Sequence, residues 1–80
     1  MKINDLHFSN HLIQRIKERN LKIEWIRSTV REPDEQVNIS DEEIYFYKII
    51  TQFHNKWLKV VINGKKRIIV TAYFDRNKKG

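Results

Sequence analysis

The sequence has no cysteine, one proline, one methionine and two glycines in 80 residues. Without a thiol, a disulfide framework, a thiolate zinc site and a cysteine nucleophile are all excluded, and a reducing cytosol is the expected compartment. Two glycines, Gly64 and Gly80, are too few for a phosphate-cradling glycine loop. Uninterrupted apolar runs last only a few residues, which excludes a membrane-spanning helix of about 20. The opening Met1-Lys2-Ile3-Asn4-Asp5 lacks an apolar core segment, so no secretory signal is expected. His7 and His11 are four apart, but Ser9-Asn10 breaks the helix between them and no glutamate completes a zincin pattern, so no metal is predicted.

What remains is a globular balance: 40% hydrophobic and 32% charged residues in a length suited to one domain, residues 1–80. Such a chain buries only roughly 60–65% of its unfolded surface and is marginal by itself. The net charge is +6, and its distribution matters more than its size. Residues 1–43 carry seven basic and nine acidic residues, whereas residues 44–80 carry nine basic residues and one acid, Asp75. Positive charge gathered on one half of a small domain favours a polyanionic partner, RNA or DNA; the bland alternative is charge for solubility.

The period of the apolar residues divides the chain. Leu12, Ile13 and Ile16 predict a helix over 9–20, capped by Ser9 or Asn10 and ended by a left-handed Asn20. Ile23, Ile26 and Val30 predict a second helix over 22–31, stopped by Glu32-Pro33. The two are expected to form an N-terminal helical hairpin. After Pro33 the period becomes two. A short strand at Val37 and Ile39 is followed by strands over 44–53, 57–62 and 67–74, with turns at Ser40–Glu43 and His54–Lys56 and a frayed tail from Asp75. Asn63-Gly64 predicts a type I′ hairpin turn. Counted from Ile62 opposite Lys65, Val60 faces Arg67 and Lys59 faces Ile68. The expected class is α+β: the hairpin packed on an antiparallel sheet of about four strands.

Chemistry concentrates on two groups. His11, Arg15 and Arg19 recur at i, i+4, i+8 and line one side of the first helix. An imidazole moves protons near neutral pH and a guanidinium fork binds phosphate oxygens, which together suit phosphodiester cleavage. The same residues could equally be a helix cap and a solvated face paired with Glu18. Thr71 and Tyr73 share a face of the last strand, where Tyr73 could stack a base or be an ordinary amphipathic sheet residue. Lys59, Lys65, Lys66 and Arg67 could hold an RNA backbone electrostatically, although 63–67 also reads as a solvated turn. Trp25, Trp57, Phe46 and Phe53 read as core or subunit contact.

Phe8-Ser9-Asn10-His11, Arg15, Arg19-Asn20-Leu21, Ile26, Val30, Pro33, Val60-Val61-Ile62 and Val70-Thr71-Ala72-Tyr73 together resemble a small bacterial family of unknown function. Its members open with an H-x3-R-x3-R-G-[IL] helix and close on a V-T-x-Y strand. That family is similar to the RelE-like and BrnT-like toxins of the barnase–EndoU–colicin–RelE ribonuclease fold. The resemblance covers residues 7–74, with Asn20 where the family favours glycine and Lys22 where a capping oxygen is usual.

The resemblance implies a cytoplasmic RelE-like toxin, a metal-independent ribonuclease without cofactor that attacks RNA through the 2′-hydroxyl. It also implies a cognate antitoxin protein bound over the active face. His11 would transfer protons, Arg15 and Arg19 would hold the scissile phosphate, and Thr71 and Tyr73 would orient it. Lys59, Lys65, Lys66 and Arg67 would hold the RNA backbone. Competing readings are a non-catalytic nucleic-acid or protein binding module and a homodimer built through exposed aromatics.

Overall fold

A computed structural model describes residues 5–78. The class is α+β, as the sequence predicts, but the sheet has five strands and is mixed. Its elements are β1 (His7–Phe8), α1 (Asn10–Arg19), α2 (Ile23–Arg31), β2 (Glu35–Asn38), β3 (Ile44–Ile50), β4 (Lys56–Asn63) and β5 (Ile68–Phe74). The strand order is β1-β5-β4-β3-β2; β1 runs parallel to β5, and every other neighbouring pair is antiparallel. The extra strand has two residues and no period of its own. It is held by His7 N–H donating to the Arg67 carbonyl at 2.8 Å and Ser9 N–H to the Ile69 carbonyl at 3.2 Å.

The helix ends follow local rules. Ser9 is extended, and its hydroxyl accepts from Leu12 N–H at 3.0 Å; Asn20 closes α1 at φ 53°. α2 starts at Lys22 without a side-chain cap and ends before Pro33. The expected hairpin is absent as such. A strand precedes the helices, and each helix buries its apolar stripe on the sheet, α1 on β5 and α2 on β4 and β3. Leu12, Leu21, Ile26 and Val30 meet Phe46, Ile50, Leu58, Val60, Ile62, Ile69 and Ala72, all from one face of the sheet.

Four further expectations are corrected. β3 stops at Ile50, and Thr51–Phe53 form one 3₁₀ turn; Phe53 therefore leaves the face of Tyr45 and Tyr47 and packs on Trp25 and Phe74. Neither Asn63 nor Gly64 has positive φ. The β4–β5 loop takes four residues, its left-handed position is Arg67 at φ 55°, and the Asn63 Oδ1 accepts from Lys66 N–H. Gly64 is needed instead for close approach, since a Cβ there would lie 2.8 Å from the Asp41 carbonyl oxygen. The longer loop, with a bulge at Val70, sets Lys59 opposite Tyr73 and Val60 opposite Ala72, not opposite Ile68 and Arg67. The tail is ordered as far as Lys78: Asp75 N–H donates to the Trp57 carbonyl, and the Lys78 ammonium pairs with Glu35. Among the described residues no helix is long and apolar enough to cross a membrane.

Candidate functional site

Alternation along the strands sends Leu58, Val60 and Ile62 toward the helices and Trp57, Lys59 and Val61 toward the opposite face. The cross-strand register then gathers rings around one cation. Lys59 lies between Tyr47 on β3 and Tyr73 on β5, while Tyr45 and Thr71 flank Val61 one pair along. The Lys59 Nζ sits 3.8 Å from the Tyr45 ring centre, 5.5 Å from that of Tyr73 and 5.7 Å from that of Tyr47. A cation over π-faces is attracted by the ring quadrupoles, so the ammonium is held in place while its charge still points outward.

Arg19 joins this group from the last turn of α1. Its Nη1 donates to the Ala72 carbonyl at 3.0 Å, and its guanidinium lies 5.8 Å from the Tyr73 ring centre. Beyond β1, β5 has no strand neighbour on its outer side among the described residues, and two of its carbonyls there are filled by side chains: Ser9 Oγ donates to Val70 at 2.9 Å and Arg19 to Ala72. Tyr73 is thus flanked by two cations from different elements.

The electrostatics of the cluster are coupled. Burial lowers the tendency of Lys59 to carry charge, but its tyrosine neighbours, Tyr73 first, more than offset this and hold its pKa above the ordinary lysine value. Tyr45 is pushed above the ordinary phenol value, chiefly because its hydroxyl donates to the Glu43 carboxylate, with burial and the Glu43 charge adding and Lys59 opposing. Both shifts favour the protonated forms, a charged Lys59 ammonium and a neutral Tyr45 phenol.

The other candidates lie elsewhere or are engaged. Arg15 Nη1 pairs with Glu18 at 2.6 Å, as the solvated-face alternative requires, and its Nε donates to His11 Nε2 at 3.5 Å. Among the described residues neither His11 nor Arg15 hydrogen-bonds or stacks with a strand residue, so of the helical trio only Arg19 makes such a contact. Lys65, Lys66 and Arg67 are exposed in the β4–β5 loop, about 17 Å along β5 from Tyr73 at the usual rise per residue. Lys65 also lies 3.6 Å from a Glu42 carboxylate oxygen. Sequence reasoning passed over Tyr45, Tyr47 and Lys78 and assigned Trp57 to a core or contact role. Lys78 folds back over Tyr47 at 4.7 Å and Trp57 at 5.4 Å. The signal that could have found them is the shared alternation of Tyr45/Tyr47, Trp57/Lys59 and Thr71/Tyr73, each pair on one face.

Residues 8–74 match the model of a family described as a domain of unknown function, DUF4258. The chain belongs to that family. The DUF4258 match runs from Phe8 through Phe74 and so takes in α1, both halves of the Lys59 cluster and Arg19, leaving out Arg76 and Lys78. No curated protein and no solved structure matches the chain.

Proposed function

We propose that this DUF4258 protein is the toxin of a type II toxin–antitoxin pair, a metal-independent endoribonuclease whose active face is the side of the sheet left uncovered by the helices. The reading is supported by the likeness of its helix and strand motifs to a small bacterial family that is similar to the RelE-like toxins. The observation that carries it is the Lys59 ammonium set among Tyr45, Tyr47 and Tyr73, with Arg19 on the outer side of Tyr73. In this reading Lys59 and Arg19 bind the scissile phosphate and stabilise the charge that grows as the 2′-oxygen attacks phosphorus and the 5′-oxygen departs. Thr71 and Tyr73 orient the phosphate. Proton transfer falls to Tyr73 or to His11, and Arg15 orients the His11 ring. Lys65, Lys66 and Arg67 guide the strand from the far end of the sheet. A cognate antitoxin with an acidic surface would cover the same face.

Expression in a bacterium should arrest growth and yield RNA fragments ending in a cyclic phosphate, and folded Lys59→Ala or Arg19→Ala should relieve both. Tyr73→Phe and His11→Ala separate the two proton-transfer assignments, since only the true donor's loss abolishes cleavage while binding persists. A folded wild type inert toward growth and total RNA would sink the enzyme reading. One observation favours a second reading, a non-cleaving RNA-binding module: the residues around Lys59 on the uncovered face include no histidine. That reading expects salt-dependent binding without products.

A further inference from the structure

At the end of the sheet opposite the β4–β5 loop, where β4 begins and β5 ends, lies a cleft of about 640 Å³. Its walls carry Arg19, Lys56, Arg76 and Lys78 beside the rings of Trp57 and Tyr73, and Asp75 is its one acid. The Asp75 carboxylate is occupied in a turn, accepting from Asn77 N–H at 2.9 Å. Four cations around a nucleotide-sized hollow favour an anion there. Lys59 does not line this cleft, but Arg19 and Tyr73 belong both to it and to the Lys59 cluster. Two positive centres therefore adjoin across one tyrosine.

We infer that this cleft is a second phosphate subsite, so that the uncovered face takes a single-stranded segment spanning at least two consecutive nucleotides. The inference rests on the RNA reading above and adds the substrate's form. A single strand can turn its bases onto exposed rings while its phosphates track the cations, whereas a duplex keeps its bases stacked inside. Trp57 and Tyr73 supply such rings at the cleft wall. The Lys78 ammonium is engaged by Glu35, so that carboxylate competes with an incoming phosphate for it.

The test uses the full chain and uncleavable 2′-O-methyl RNA: a mononucleotide, a dinucleotide and longer oligomers, titrated by calorimetry at several salt concentrations. Affinity should rise sharply at the first length that carries two phosphates. Arg76→Ala should weaken oligomer binding about fivefold at about 0.1 M salt and lower the salt slope by about 0.7, the loss of one single-strand phosphate contact. Glu35→Gln, by freeing Lys78, should tighten binding, a gain that misfolding cannot mimic. Arg27→Ala, on exposed α2 surface, is the charge-matched control and should bind as wild type does. A dinucleotide that binds no better than a mononucleotide, a duplex that binds as tightly as a single strand, or wild-type binding in both Arg76→Ala and Glu35→Gln would overturn the inference. If no RNA binds even at low salt, the RNA reading fails, and tripolyphosphate then judges the cleft alone. Binding lost in Arg76→Ala upholds the anion subsite, and no binding by wild type refutes it.

Discussion

The two faces of the sheet are made by the same strands and do opposite things. On the covered face Leu58, Val60, Ile62, Ile69 and Ala72 are fully buried and purely apolar. On the other, Tyr45, Tyr47, Trp57, Lys59 and Tyr73 form a ring-and-cation layer that, among the described residues, has no helix above it. Leu58 and Lys59 are chain neighbours, one residue of pleat apart, and belong to different halves of the protein's physics. The contrast shows that a small domain can assign cohesion to one side of a sheet and place charge and aromatic rings on the other.

The comparison breaks if substitutions on the two faces cost alike. Leu58→Ala should remove about 2–5 kcal/mol of stability, a large part of the roughly 4–12 kcal/mol expected of 80 residues. Lys59→Ala should remove about 1 kcal/mol or less, the scale of exposed cation–π contacts, while sacrificing whatever RNA binding the proposed function requires. Denaturant unfolding of the pair decides it, and equal losses would show that the open face is structural. The next effect in size tests the loop that sets the register. Gly64→Ala forces a Cβ against the Asp41 carbonyl and should cost about 1–3 kcal/mol, whereas Arg67→Gly relieves a left-handed residue and should be neutral or stabilising. A reversal in their melting temperatures would restore the Asn63-Gly64 turn.

The smallest effect sharpens the electrostatic side. Tyr45 and Lys59 both bind their protons more tightly folded than unfolded, so their contributions are fully present below about pH 10 and fade as pH rises through the folded values. Glu43→Gln should bring the Tyr45 titration back toward the ordinary phenol value in an ultraviolet phenolate titration and shrink the alkaline loss of stability. An unmoved Tyr45 would remove Glu43 as the cause.

The signals at the helix ends read true, whereas the hairpin turn and the long-range pairings did not. Ser9, Asn20 and Pro33 act on backbone groups within four residues, and each stands where its chemistry predicts. β1 escaped notice because two residues carry no period and their partner is about 60 positions away. The hairpin register slipped because Asn63-Gly64 carries the chemistry of a two-residue turn, yet packing of Gly64 on Asp41 and a left-handed Arg67 lengthen the loop. That slip hid the site: with Lys59 set opposite Ile68, its meeting with Tyr73 could not be foreseen. Lys59 and Tyr73 were legible singly, as strand residues of the right type, while Arg15 and Arg19 looked equivalent until the sheet edge distinguished them.

The bond from Ser9 Oγ to the Val70 carbonyl has a consequence in time. The hydroxyl that caps α1 is also tied to the final strand, and His7 and Phe8 have only that strand to pair with. During synthesis β1 must therefore wait for a partner made about sixty residues later. The strand that precedes both helices is thus among the last to close.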